Sequence, residues 1–109
     1  MSVVELQIPP KVLLEIFEAK SVGTGMTHSV PGGATLTVKG LEQRHHDALP
    51  LVPVTITLGP GVAIDLLASW LYERLKHANV RHIRIQGVEI EVTMEVISKA
   101  IAESIDSQP

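Results

Sequence analysis

Residues 81–92, Arg-His-Ile-Arg-Ile-Gln-Gly-Val-Glu-Ile-Glu-Val, admit one antiparallel register that satisfies both faces of a hairpin at once. With Gln86 and Gly87 as a two-residue turn, Ile85 opposes Val88 and Ile83 opposes Ile90 on one face. On the other, Arg84 faces Glu89 and His82 faces Glu91. A slip of one residue would turn the apolar set to solvent and separate the charges, so the register is strongly specified. Gln-Gly is a weaker turn signal than Asn-Gly, and the flanking alternation carries the reading.

The residues before this hairpin extend the pattern. Pro53 to Leu58 alternates apolar and polar side chains and reads as a strand with one buried face. Gly59-Pro60-Gly61 ends it, with Gly59 expected as N-cap and Pro60 at the first helical position. The helix that follows places Ile64, Leu67, Leu71 and Leu75 on one face, with Ala63, Leu66 and Trp70 beside them. Asp65 near its start and Arg74, Lys76 and His77 near its end match the helix dipole. Asn79 is expected as a left-handed C-cap.

Earlier in the chain, Val3 to Ile8 alternates and reads as a strand that Pro9-Pro10 stops. Val12, Leu13, Ile16 and Phe17 share a helical face, although so short an apolar run also fits a strand. Residues 21–33, rich in Gly, Ser, Thr and Pro, are expected to be a mobile loop. Thr35 to Val38 is a further strand, with Lys39-Gly40 as a turn. At the other end Thr93 can cap a helix whose Val96, Ile97, Ala100, Ile101 and Ile105 face inward, and residues 107–109 should fray.

The two halves resemble each other. A shift of fifty residues lays Val4 on Val54, Pro10 on Pro60 and Val12 on Val62, while Leu36 to Glu42 resembles Ile83 to Glu89. The expectation is an α+β domain spanning 1–109, with a mixed or antiparallel sheet of about five strands and helices on one face. It would consist of two β-α-β-β half-repeats, 3–48 and 53–105, plus a C-terminal helix.

Composition narrows the function. A chain of 109 residues is one domain by size, and its 45% hydrophobic content with positive mean hydropathy argues against disorder. No apolar run approaches a membrane span and no leader pattern is present, so the cytoplasm is the default expectation. A net charge of −3 without a basic stripe, and only three aromatics, argue against nucleic acid. The absence of cysteine excludes disulfides and thiolate chemistry.

No motif points to catalysis, a cofactor or a metal. His45-His46-Asp47 lacks metal-ligand spacing, and Gly59-Pro60-Gly61 matches no phosphate-binding glycine pattern. The candidates for a ligand or partner are Gly23, Thr24, Gly25, Thr27, His28 and Ser29 in the loop, with Arg44, His45, His46 and Tyr72. The leading reading is a non-enzymatic protein–protein binding module of accessory, inhibitor or immunity type that self-associates. A small-molecule or nucleotide-binding regulatory domain using residues 21–33 is the alternative. A small enzyme built on His28, His45, His46 and Asp47 is the third.

Overall fold

The computed structural model describes residues 2–40 and 50–106. Nine elements follow in order: β1 (Ser2–Ile8), α1 (Pro10–Phe17), β2 (Thr27–Val30), β3 (Ala34–Val38), β4 (Val52–Leu58), α2 (Ile64–His77), β5 (His82–Ile85), β6 (Val88–Glu91) and α3 (Met94–Asp106). The strands form one sheet of six, ordered β2-β3-β4-β1-β5-β6, and every pairing is antiparallel. The fold is α+β, with one strand more than the sequence suggests.

Alternation along the strands sorts the sheet into two faces. Val4, Leu6, Ile8, Leu36, Val38, Val54, Ile56, Leu58, Ile83 and Ile85 are buried and pack with the helices. The opposite face carries Glu5, Gln7, Thr35, Thr37, Thr55 and Thr57 (Thr35 opposes Thr57, and Thr37 opposes Thr55). The helical layer supplies Val12 and Leu13 from α1, Leu67, Leu71 and Leu75 from α2, and Ile97 and Ile101 from α3, all fully buried. Removing any of these leucines or isoleucines by substitution to Ala would cost about 2–5 kcal/mol through lost transfer energy and a residual cavity.

The sheet order interlaces the halves. β3 of the first half pairs with β4 of the second, whereas β5 of the second half pairs with β1 of the first. β1 and β4 lie together at the centre, where Val4 opposes Ile56 and Leu6 opposes Val54. The fifty-residue shift exchanges these two pairs, so the central ladder maps onto itself about a local two-fold axis.

The likeness stops at the hairpins. Leu36 opposes Ile56 and Ile85 opposes Leu6, so Leu36 is the counterpart of Ile85 and not, as the sequence suggested, of Ile83. The outer strand also precedes its inner partner in the first half (β2 before β3) and follows it in the second (β6 after β5). Both halves have the element order β-α-β-β, but corresponding places in the sheet are filled by different members of each hairpin.

Local expectations fared unevenly. The 82–91 hairpin has the predicted register at all four pairs, and Gln86 and Gly87 both take positive φ, 52° and 77°, as a type I′ turn requires. Residues 10–17 are helical, with Pro9 as N-cap. Thr93 Oγ1 accepts from the Val96 N–H at 3.2 Å and caps α3. Asn79 is left-handed, at φ 58°, and α2 closes as a Schellman motif: Val80 N–H donates to Leu75 C=O and Asn79 N–H to Lys76 C=O.

α2, however, starts at Ile64 with Ala63 as N-cap, so Pro60 lies in the preceding turn. The tip of the β2–β3 hairpin occupies that turn. Gly59 N–H donates to Gly33 C=O and Ala63 N–H to Gly32 C=O, and the second bond takes the donor that a helix beginning at Pro60 would have turned to Gly59 C=O. Leu66, placed by its spacing beside the buried stripe, faces outward and is 56% exposed.

Candidate functional site

The segment 21–33 is less of a loop than its composition implied. Thr27–Val30 forms edge strand β2, paired with β3 from Thr27–Thr37 to Val30–Ala34. The Gly-rich flanks at 23–25 and 32–33 read as loop, and Val30 is the only buried residue of the four in the strand. Pairing with a strongly β-forming neighbour, Ala34–Val38, overrides that local signal.

Gly23, Thr24 and Gly25 form the turn that starts this strand. Met26 N–H donates to Gly23 C=O at 3.2 Å, Gly25 N–H to Val38 C=O at 2.8 Å, and Val38 N–H to Met26 C=O at 2.9 Å. The Met26–Val38 bond sets the alternation along the ladder. Met26, His28 and Val30 direct their main-chain groups toward β3, and those of Thr27 and Ser29 point away from the sheet. Thr27, His28 and Ser29 are exposed.

His28 lies across this edge. Its ring meets Phe17 of α1 edge-on, with centroids 5.5 Å apart, and its Nδ1 donates to the Ser29 carbonyl at 2.7 Å. The Thr27 N–H and C=O and the Ser29 N–H are left as outward main-chain groups without a partner among the described residues. An edge of this kind is a template for one more strand. β2 carries no charged side chain, whereas the opposite edge, β6, carries Glu89 and Glu91.

The candidates do not converge on one place. Tyr72, expected to be exposed, is half-buried on α2 with Lys76 Nζ 5.7 Å from its ring centre. It lines a cleft of about 670 Å³ with Asn79, Arg81, His82 and Glu91, beside the β5–β6 end of the sheet and so remote from β2. Arg44, His45, His46 and Asp47 lie outside the described residues. Among the described residues no group of three or more His, Asp or Glu could hold a metal ion, and no helix is long and apolar enough to cross a membrane.

Sequence reasoning missed Arg81 and Lys11 near this end of the sheet. They are seventy residues apart, and neither sits in a motif. No protein-family model, curated protein or solved structure matches the chain.

Proposed function

We propose that this protein is a non-enzymatic binding module that associates through the β2 edge, with a second copy of its own chain as the partner. The observation that supports this is the uncharged outer edge at Thr27–Ser29, with main-chain donors and acceptors turned outward. Two such edges related by a two-fold axis pair antiparallel without bringing like charges together. The same operation at β6 would crowd Glu89 and Glu91 against their copies. Strand addition of this type takes its affinity from main-chain hydrogen bonds and needs no catalytic group.

Sedimentation equilibrium across a concentration series tests the reading. The native chain is expected to show a concentration-dependent dimer. Ser29→Pro deletes an outward N–H while leaving the β3 ladder intact, and Thr27→Lys places a charge on the edge. Both variants should be monomeric with unchanged circular dichroism. A native chain that stays monomeric at about 100 µM, a concentration at which even a weak micromolar contact saturates, defeats the proposal. So does a dimer that persists in both variants.

A further inference from the structure

β5 follows β1 for only two residue pairs, Leu6–Ile85 and Gln7–Arg84, and then the strands part. The cause is local. Val92 N–H donates to Arg81 C=O and Gln86 N–H donates to Glu5 C=O. By the alternation of an antiparallel ladder, Arg81, Ile83 and Ile85 therefore turn their main chain toward β6, and His82 and Arg84 turn theirs toward β1. The next partner of His82 would be Pro9, which has no N–H and whose carbonyl already accepts from Val12 at 3.1 Å. The ladder ends there, and the His82 N–H faces the gap with no main-chain partner among the described residues.

That gap is a cleft of about 440 Å³ whose polar lining is Lys11, Asn79, Arg81, His82, Arg84 and Glu89. Its volume falls within the roughly 300–1,000 Å³ of small-ligand sites. Three cations reach it from separate elements: Lys11 from the first turn of α1, Arg81 from the residue before β5, and Arg84 from β5. Glu89 stands opposite Arg84 in the hairpin register, yet the one ion pair among the described residues is His77 with Glu15, at 3.9 Å. The chain carries a net charge of −3, so three cations and one carboxylate in this cleft are a local reversal of its charge.

We propose that this cleft binds a phosphate group carried by a small molecule. Two guanidinium forks and an ammonium match the geometry and charge of a phosphate dianion, and the outward His82 N–H supplies a fixed donor between them. Asn79 and the adjoining cleft, which shares Asn79, Val80, Arg81 and His82, leave room for the organic part of the ligand. This site lies apart from the β2 edge and goes beyond the association proposed there.

The test is a ¹H–¹⁵N NMR titration with inorganic phosphate, with glycerol 3-phosphate, and with phosphatidylcholine vesicles containing phosphatidic acid. Saturable shifts at the amides of Lys11, Arg81, His82 and Arg84, tighter for glycerol 3-phosphate than for inorganic phosphate, are the expected result. Arg81→Ala and Arg84→Ala should each weaken binding about tenfold or more, and Lys99→Ala on α3 should not. Three outcomes overturn the proposal: shifts that never saturate and extend to Lys39 and Lys99, arginine variants that bind as the native chain does, or binding confined to the vesicles.

Discussion

Glu5 and Thr55 face each other across the central ladder, and they are also the residues that a fifty-residue shift places on one another. A pair that is both partner and counterpart lies at the centre of the β1–β4 ladder, about which that ladder maps onto itself. On one side of it Val4 opposes Ile56, and on the other Leu6 opposes Val54. That ladder runs through the middle of the sheet, so neither half contains a complete sheet of its own.

Interlacing has a consequence for folding. Separated fragments 2–40 and 50–106 each lose the neighbours of their inner strands, because β3 pairs only with β4 besides its own hairpin partner and β5 only with β1. Each fragment alone should give the circular dichroism of an unfolded chain, since an isolated hairpin is marginal at best in water. Mixed at equal concentration, they should recover sheet signal. Independent folding of either fragment would contradict the pairing.

Gly32 and Gly33 separate two kinds of glycine requirement. Both have positive φ, 96° and 83°, but a Cβ on Gly32 would come within 2.9 Å of the Ala63 carbonyl oxygen, and one on Gly33 would meet nothing within 4 Å. Gly33→Ala should cost about 1 kcal/mol for backbone strain alone. Gly32→Ala should cost at least about 1 kcal/mol more, because it must push the hairpin tip off the start of α2. Urea unfolding midpoints of the two variants check the order.

The end of α1 is less well suited to its residue than the end of α2. Glu18 is left-handed, at φ 51°, in a tight closure where Glu18 N–H donates to Glu15 C=O and Ala19 N–H to Leu14 C=O. Glutamate has no local hydrogen bond to ease that conformation, whereas asparagine tolerates it. Glu18→Gly should raise stability by about 0.5–1 kcal/mol. Asn79→Gly should change it by less. A larger gain at Asn79 than at Glu18 would show that conformational preference does not govern these caps.

Gln86 holds the β5–β6 hairpin to β1. Its side-chain Oε1 accepts from Glu5 N–H at 2.9 Å, and its own N–H donates to Glu5 C=O at 2.8 Å. The side chain thus continues the ladder where the main chain has begun to turn. Gln86→Ala should cost about 0.5–1.5 kcal/mol through the lost side-chain hydrogen bond, since glutamine and alanine share the Cβ that the positive φ strains. Amide hydrogen exchange at Glu5 should accelerate in that variant while exchange at Ile56 does not.

Features governed by near neighbours were legible in the residues. Arg81–Val92 has its register because a two-residue turn and single-residue alternation leave one solution, and the same local logic located β1, β4, α3 and the left-handed Asn79. The fifty-residue likeness was readable between β1 and β4, whose spacing it shares, but it did not carry to the helix starts, which fall at Pro10 and Ile64. Of the candidate site, Thr27, His28 and Ser29 were picked out from composition, but as a loop rather than an edge strand.

Tertiary structure alone decided the rest, because it turned on contacts between distant segments. Thr27–Val30 is a strand because Ala34–Val38 offers it a ladder, and α2 begins at Ile64 because Gly32 and Gly33 occupy the turn before it. The cleft lined by Lys11, Arg81 and Arg84 lies where the β1–β5 ladder ends, at Pro9 and His82. Alternation and capping act over a few residues, so the sequence by itself determined most of the elements and the 82–91 hairpin register, but neither the edge strand Thr27–Val30 nor the start of α2. Which strands become neighbours depends on burying all their apolar faces at once, a condition that only the assembled sheet and its helices satisfy.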